Sequence, residues 1–598
     1  MTENDVNYYI KVGQDNRQSQ DYDSAIEGLM QGLKIDSDNA QLHLELGRVY
    51  REKKEFVAAI AELEKAMALL PRDVEAGLEL GRTYREKEEY LKAIEELNAA
   101  SMHNPGEGRI HLELGRIYHQ THDFDLAIQE LNKAISLGLD NDEVHLDLAR
   151  AYREKKEYLK SIAEFNAALR HKPADSRMHL ELGWVYYDNG DYHSAARKLE
   201  QSVAYGIDTD ELHISLARIY RKIGEYERSA DEFYKAMDKS PCRGEVFFRN
   251  KILNEIEISQ RKIKLESRPI GLGITLTNKC NLKCRICGVW KEEWEIPQKV
   301  IQEVIGLFPY LERIVWQGGE VFLLEYFDAL FEQASSYPNL KQTIITNGIL
   351  IDERRAEKLA RNNVAVIYSI DAITQSPYEH IVGGAAKFED LLRSISLVNE
   401  YRKRHGCHKD PFNRMTTIMN VVVMESNYRQ LEGFIDFARE YQFDEIQLVP
   451  LLGIRGPENI FLNQDYAAGE HLARVMPALE NKAKGYGIIL HNWLPPITAH
   501  QEAAADKAQE KKHADKDIIC YLPWQQMFMT PDHKLKPGCY CSQDIGDITR
   551  DSLEEIWNSQ AMQLYRQKLL AGDYRDLCDA ACVSGVIPQR ELKVSRYG

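Results

Sequence analysis

The chain has 598 residues and a formal net charge of −17, and 44% of its residues are hydrophobic. This length exceeds what one hydrophobic core supports, and we predict three domains. The acidic balance argues against nonspecific binding of nucleic acid. No apolar run reaches the ~20 residues that a membrane span requires, so we expect no membrane partner either.

The first residues, Met1–Ile10, lack the basic and apolar segments of a signal peptide. The chain has 10 cysteines, most of them in its C-terminal half. They form clusters typical of metal sites rather than a small disulfide framework, as expected in a reducing compartment. We therefore expect a cytoplasmic protein.

A small residue recurs at intervals of 34 residues in the N-terminal part. The positions are Gly13, Gly47, Gly81, Gly115, Ala149, Gly183 and Ala217. From Gly47 onward, a tyrosine follows three residues later in each repeat. The period and pattern resemble tetratricopeptide (TPR) repeats. This resemblance predicts an all-α superhelix of seven repeats over residues 1–241, with a concave groove, followed by a capping helix and connector over 242–267.

An arginine directly follows the small residue in five repeats. The five are Arg48, Arg82, Arg116, Arg150 and Arg218. By resemblance to other TPR domains, they line the concave groove. Two interpretations stay open: the arginines grip carboxylates of a bound peptide or protein, or they pair with glutamates three residues earlier, such as Glu45 and Glu79.

Histidines also recur along the repeats, and we call them the histidine ladder. They are His43, His111, His145, His179 and His213. Copies in successive repeats lie on the order of 16–20 Å apart, too far to share a metal ion. We predict a packing role for the ladder.

Cys280, Cys284 and Cys287 follow a predicted buried strand with C-x3-C-x2-C spacing. Three thiolates can hold three irons of a [4Fe–4S] cluster and leave the fourth iron open to a small molecule. The alternative is a closed zinc site. That site needs a fourth ligand, and residues 288–294 contain no Cys or His.

This spacing resembles that of the radical S-adenosylmethionine (SAM) enzymes. The resemblance implies that the open iron binds the amino and carboxylate groups of SAM. It further implies reductive cleavage of SAM to a 5′-deoxyadenosyl radical, which abstracts hydrogen from a substrate. An electron donor such as flavodoxin or ferredoxin would be required.

Six β-rich runs alternate with helical patterns over residues 268–500. They are Gly271–Thr277, Arg313–Gln317, Gln342–Thr346, Val364–Asp371, Thr417–Val423 and Glu445–Val449. Such alternation predicts parallel βα units with functional groups at the C-terminal ends of the strands. Six units are the number in the partial (β/α)6 barrel of the radical SAM superfamily.

Gly318, Gly319 and Glu320 follow the second run and resemble the motif that binds the SAM amino group in this superfamily. Val321 stands where relatives commonly have proline. Asn347 follows the third run, either as a SAM contact or in an ordinary Asn-Gly turn.

The resemblance also implies roles at the ends of the fourth and fifth runs. Ser369 and Asp371 are expected near the ribose and methionine portions of SAM, and Asn420 near the adenosine. Val382 stands where relatives often carry an arginine, so recognition of the SAM carboxylate must come from elsewhere.

A charged linker is predicted over 501–518, and residues 519–598 resemble the SPASM/Twitch extension of radical SAM enzymes. This segment contains Cys520, Cys539, Cys541, Cys578 and Cys582. We predict one auxiliary [4Fe–4S] cluster on Cys520, Cys539, Cys578 and Cys582, with Cys541 as an alternate ligand. Zinc on the same thiolates is the alternative.

Three functions remain open. The first is maturase-like modification of a peptide or protein that the TPR groove docks. The second is oxidation or epimerisation of a small molecule such as a sugar or alcohol, with the repeats as a recruitment module. The third is a non-catalytic TPR scaffold. No residue can be named as the catalytic hydrogen donor.

Overall fold

The computed structural model describes residues 3–287, 293–384, 386–406, 415–451, 456–495, 497, 520–538, 541–573 and 577. The chain forms two compact units, Met1–Leu212 and His213–Gly598. The domain limits taken from the sequence remain predictions. No helix among the described residues combines the length and the apolar character needed to cross a membrane.

The first unit consists of helical hairpins, as the repeats predict. Its helices are α1 (Glu3–Gln18), α2 (Tyr22–Ile35), α3 (Ala40–Glu52), α4 (Phe56–Leu69), α5 (Val74–Glu86), α6 (Tyr90–His103), α7 (Gly108–Gln120), α8 (Phe124–Ser136), α9 (Asp142–Glu154), α10 (Tyr158–His171), α11 (Ser176–Asp188) and α12 (Tyr192–Ala204). The repeated glycine lets the two helices of a hairpin approach closely. A Cβ at Gly47 would lie 2.6 Å from Leu63 of the second helix, and one at Gly115 would lie 2.6 Å from Leu131.

Each hairpin turn places one residue in the left-handed backbone region. Five of these residues carry a side chain: Gln20, Lys54, Glu88, His122 and Lys156, with φ of 63°, 64°, 65°, 62° and 60°. In the last two hairpins the same position is Gly190 or Gly224. A residue with a Cβ is strained here by ~1–2 kcal/mol.

Lys54→Gly and Lys156→Gly should therefore each raise the free energy of unfolding by about 0.5–1 kcal/mol. Removal of the Cβ relieves the strain, and the larger entropy of glycine in the unfolded chain offsets part of the gain. Urea titration monitored by helical circular dichroism measures the change. Gly190→Ala is the matched reverse variant and should be destabilising; a loss of stability in the Lys→Gly variants would contradict the argument.

The second unit begins with the seventh hairpin and continues into an α/β sheet. Its helices are α13 (Asp210–Lys222, which starts just before the unit boundary), α14 (Tyr226–Lys239), α15 (Val246–Ser259), α16 (Gln298–Leu307), α17 (Phe327–Ser335), α18 (Glu353–Arg361), α19 (Gln375–Ile381), α20 (Phe388–Arg404), α21 (Leu431–Glu440), α22 (Tyr466–Gly485), α23 (Leu522–Gln525), α24 (Leu553–Trp557) and α25 (Gln560–Leu570).

The sheet has ten strands in the order β10-β9-β8-β1-β2-β3-β4-β5-β6-β7. They are β1 (Gly271–Thr275), β2 (Arg313–Gln317), β3 (Lys341–Thr346), β4 (Ala365–Ser369), β5 (Thr417–Val423), β6 (Glu445–Pro450), β7 (Ile489–Asn492), β8 (Gln526–Met529), β9 (Lys534–Lys536) and β10 (Gly546–Asp547). Neighbours from β8 through β7 are parallel, and β9 and β10 pair antiparallel. The predicted α/β class and the six predicted strands are confirmed.

Two features of the sheet were not predicted. β7 extends the parallel array beyond the sixth strand, paired with β6. β8 comes from the C-terminal region but pairs parallel with β1, with Leu272 opposite Met527. The C-terminal region and the barrel therefore share one sheet and one continuous hydrophobic core, to which Trp316, Trp524 and Trp557 contribute.

Candidate metal centre

Cys280, Cys284 and Cys287 lie on the loop that follows β1, at the C-terminal edge of the parallel strands. All three are free and half-buried. Burial raises the pKa of Cys284 to about 12, and the neighbouring charges of Cys280, Cys287 and Asp371 add to the shift. Burial also raises the pKa of Cys280. Three enclosed thiols that disfavour one another's negative charge are suited to a cationic metal centre, which would stabilise the thiolates.

The glycine pair after β2 holds this loop in place. A Cβ at Gly318 would collide with the carbonyl oxygen of Thr277, and one at Gly319 with that of Lys279. The Gly319 amide donates to the Thr277 carbonyl at 2.8 Å, and the Glu320 amide donates to the Lys279 carbonyl at 2.8 Å. The glycines thus bring the end of β2 against the backbone that leads into Cys280.

Glu320 follows β2 and is completely buried against the end of the neighbouring strand β3. Its carboxylate accepts hydrogen bonds from the Thr346 hydroxyl at 2.9 and 3.0 Å, the Asn347 amide at 3.0 Å and the Phe322 amide at 3.2 Å. Burial raises the pKa of Glu320, and these hydrogen bonds oppose the shift. Glu320 therefore joins the ends of β2 and β3; its predicted contact with a SAM amino group remains a prediction.

Asn347 lies directly beside the cysteine loop. Its side-chain amide donates to Asn281 Oδ1 at 2.8 Å and lies 3.9 Å from the Cys280 sulfur. Its own Oδ1 accepts from the Ile349 amide at 3.0 Å, as in an Asx turn. The structure thus combines the turn with a contact to the cysteine loop.

Ser369 ends β4, Asp371 follows it by two residues, and Asn420 lies in the middle of the neighbouring strand β5. Ser369 is opposite Asn420 in the strand register. The Asp371 carboxylate accepts from the Val422 amide at 2.8 Å, and burial raises its pKa to about 6. The Asp371 charge contributes to the raised pKa of Cys284. The structure places these three predicted residues at the same edge of the sheet as the cysteine loop.

The segment around Val382 also contacts the cysteine loop. The Arg285 amide donates to the Ile381 carbonyl at 2.9 Å, and a Cβ at Gly383 would lie 2.6 Å from the Lys283 carbonyl oxygen. Val382 itself is buried. An apolar residue at this position packs in the core beside the cysteine loop.

Of the C-terminal cysteines, Cys520 and Cys541 are half-buried, and both pack against the core of the second unit. The Ser542 amide, next to Cys541, donates to the Leu577 carbonyl at 3.0 Å. Leu577 directly precedes Cys578 in the sequence. Cys539, Cys578 and Cys582 lie outside the described residues.

Sequence reasoning did not assign roles to Asn281 and Thr346. Both hold predicted site residues through side-chain hydrogen bonds, Asn281 with Asn347 and Thr346 with Glu320. Their positions in the sequence are the feature that could have identified them. Asn281 lies inside the cysteine motif, and Thr346 directly precedes Asn347.

The arginines of the repeats pair mainly between neighbouring hairpins. Arg82 bonds Glu79 of its own helix at 3.1 Å and Glu113 of the next repeat at 2.8 Å. Burial would raise the pKa of Glu113, but Arg82, Arg116 and Arg85 hold it below its ordinary value. These arginines therefore pair with glutamates, as the second interpretation predicted. The sequence did not indicate that a partner glutamate belongs to the next repeat.

A cavity of about 250 Å³ nevertheless opens beside this network. It is lined by Arg85, Arg116, His119, Gln120, Asp147 and Arg150. The Nε2 atom of His119 is buried and has no hydrogen-bond partner among the described residues. Burial lowers the pKa of His119, so the neutral imidazole is favoured.

Family comparisons agree with the arrangement of the cysteines and strands. The sequence model of the radical SAM superfamily matches residues 274–438, from β1 through α21. The chain contains a radical SAM domain. The iron–sulfur cluster-binding SPASM domain matches residues 520–583, and TPR models match segments between 13 and 241. The three predicted modules are confirmed in their predicted order, which supports an enzyme of this superfamily.

Curated relatives share the radical SAM region at low identity. GTP 3′,8-cyclase of Synechocystis sp. is 26% identical over 34% of this chain and 61% of the relative. The tungsten-containing aldehyde ferredoxin oxidoreductase cofactor-modifying protein of Pyrococcus furiosus is 26% identical over 49% of this chain and 82% of the relative. PqqA peptide cyclase of Gluconobacter oxydans is 23% identical over 49% and 78%. The chain thus spans about three fifths of the length of the cyclase.

Proposed function

We propose that this chain is a radical SAM enzyme that reductively cleaves SAM and abstracts hydrogen from a peptide or protein substrate. The observation that carries the proposal is the trio of half-buried thiols, Cys280, Cys284 and Cys287, at the C-terminal edge of β1. A bound [4Fe–4S] cluster would supply the electron for SAM cleavage at its open iron.

The surrounding residues would hold and orient this centre. Glu320, through Thr346 and Asn347, fixes the strand ends against the cysteine loop. Gly318 and Gly319 keep the space in front of Thr277–Lys279 free of side chains. The polar groups of Ser369, Asp371 and Asn420 would contact SAM from the neighbouring strand ends.

An auxiliary [4Fe–4S] cluster would use thiols of the SPASM domain. Cys520, Cys539, Cys578 and Cys582 are the proposed ligands, with Cys541 as the alternate. The hydrogen bond between Ser542 and Leu577 supports Cys541, because it joins the segment of Cys541 to the residue that precedes Cys578. This cluster would pass electrons or hold substrate.

The experiment is SAM cleavage by the full-length chain, reconstituted with iron and sulfide under anaerobic conditions. Addition of SAM and a reductant, chemical dithionite or a flavodoxin or ferredoxin system, should yield 5′-deoxyadenosine and methionine. Chromatography with mass detection measures both products. A protein that binds four or more irons yet forms no 5′-deoxyadenosine would contradict the proposal and favour the scaffold. The cytoplasmic location stays a prediction.

The peptide or protein substrate is supported by two observations. PqqA peptide cyclase, whose name specifies a peptide, aligns over 78% of its length. In the cavity beside Arg116 and Arg150, His119 has a ring nitrogen without a hydrogen-bond partner among the described residues, which suits a backbone carbonyl of an extended segment. A carboxylate of that segment would exchange with Glu181, which accepts from Arg150.

A defined pair of variants tests the groove. Arg150→Gln should weaken binding of acidic model peptides about tenfold, because a charge-assisted hydrogen bond contributes roughly 1.5 kcal/mol. Fluorescence anisotropy of labelled acidic and neutral peptides with the full chain measures the affinity. Arg170→Gln, exposed on the second helix of the same hairpin, is the control. Equal affinities in both variants would show that the groove does not dock the substrate. That result would leave the proposal of SAM cleavage unaffected.

Small-molecule chemistry is the second candidate. GTP 3′,8-cyclase, whose name specifies a nucleotide, is 26% identical over 34% of this chain. In that case the TPR array would serve recruitment only, and the Arg150→Gln variant would retain full turnover of the small molecule.

A further inference from the structure

We infer that Asp140, His145 and His171 form a binding site for a divalent transition-metal ion, separate from the cysteine centre. Asp140 precedes α9, His145 lies in α9, and His171 ends α10. The Nε2 atom of His145 lies 2.8 Å from Asp140 Oδ1, and the Nε2 atom of His171 lies 3.4 Å from the same oxygen. One ligand atom from each residue lies within 4.8 Å of the others.

Both ring nitrogens of His145 face carboxylates. Its Nδ1 atom lies 2.6 Å from Glu164 Oε2, while its Nε2 atom faces Asp140. A neutral imidazole has a single N–H and can donate to only one of these carboxylates. The other contact needs either a second proton, which makes an imidazolium, or a metal ion between Nε2 and Asp140.

The surroundings favour the metal ion. In a typical metal site, the histidine donates its second N–H to a carboxylate that orients the ring. Glu164 has this position toward His145, as Glu62 and Glu130 have toward His43 and His111, and only at His145 does Nε2 face a second carboxylate among the hydrogen bonds of these three. The ring of His145 is buried, with 10% of its side chain exposed, whereas Asp140 is 67% exposed. An ion can therefore enter from solvent and complete its coordination with water.

The ligand types select the kind of ion. Two imidazole nitrogens and one carboxylate oxygen suit Zn²⁺, Co²⁺, Ni²⁺ or Cu²⁺, whereas Ca²⁺ and Mg²⁺ prefer sets made of oxygen. Three protein ligands leave at least one coordination position open.

The repeat pattern does not account for this set. One repeat earlier, the positions of Asp140 and His171 hold Gly106 and Leu137, and one repeat later they hold Ala174 and Tyr205. Elsewhere in the ladder, His179 Nε2 contacts the Pro173 carbonyl at 2.9 Å. The α9–α10 hairpin thus combines a ladder histidine with two ligands that these neighbouring repeats lack. An ion here would link the two ends of the hairpin.

Cobalt titration of the full chain tests the site. The protein is first reconstituted anaerobically with its clusters, so that the cysteines are occupied, and desalted. Co²⁺ should bind one equivalent with the visible d–d absorption of nitrogen and oxygen ligands and without a thiolate charge-transfer band. Asp140→Asn and His171→Ala should each weaken this binding at least tenfold, and Zn²⁺ should displace the Co²⁺.

His103→Ala is the matched control, because His103 is exposed and occupies the position of His171 two repeats earlier. It should bind Co²⁺ like the unmodified chain. Circular dichroism verifies that each variant is folded. The inference is overturned if Co²⁺ binding is equal in all four proteins, or if none of them binds Co²⁺.

Discussion

Replacement of Cys284 by alanine is expected to remove about four iron atoms per chain and to abolish 5′-deoxyadenosine formation. Cys284 is the middle cysteine of the motif, and its pKa is raised both by burial and by the charges of Cys280 and Cys287. Two remaining thiols leave the cluster short of protein ligands. Iron and sulfide analysis after anaerobic reconstitution, with electron paramagnetic resonance of the reduced protein, measures the loss.

Cys242→Ala is the control for this substitution. Cys242 is a half-buried cysteine that lies before α15 and outside the cysteine loop. The variant should retain the iron content and the SAM cleavage of the unmodified chain. Full iron content in Cys284→Ala would show that the three cysteines do not form one centre. Loss of iron in both variants would indicate unfolding instead.

Arg566→Met is expected to lower the free energy of unfolding of the second unit by about 3–5 kcal/mol. Arg566 is completely buried. Its guanidinium donates to the carbonyls of Ile263, Pro523 and Trp557 at 2.8, 2.9 and 3.0 Å. These acceptors lie on the connector after α15, on α23 and on α24. The substitution leaves all of them without this donor in the interior.

Arg566→Lys should be less destabilising than Arg566→Met, because the ammonium keeps the positive charge. It should still be destabilising, because the ammonium cannot reproduce the planar set of donors. Burial lowers the pKa of Arg566 to about 9, so the side chain is still charged at neutral pH.

Arg550→Met, at a side chain that is 71% exposed, is the control and should change stability by less than about 0.5 kcal/mol. Thermal unfolding followed by tryptophan fluorescence reports on Trp524 and Trp557. A melting temperature of Arg566→Met equal to that of the control would contradict the stabilising role.

The sequence alone determined the features that depend on local pattern. A glycine or alanine every 34 residues was sufficient to predict the hairpins, since each repeated glycine makes the same close contact with a leucine of the second helix. The spacing of the cysteines identified the radical SAM domain because three ligands on one short loop are close in space by covalent connection. The six strands followed from alternation of strand and helix patterns.

Only the tertiary structure decided how distant segments meet. It paired β8 with β1 and turned Glu320 toward Thr346 rather than leaving it exposed at the edge of the sheet. It also joined the repeat arginines to glutamates of the next repeat and brought His171 to Asp140. These contacts connect residues that lie tens or hundreds of positions apart, and periodicity carries no information about which of several carboxylates or strands becomes the partner.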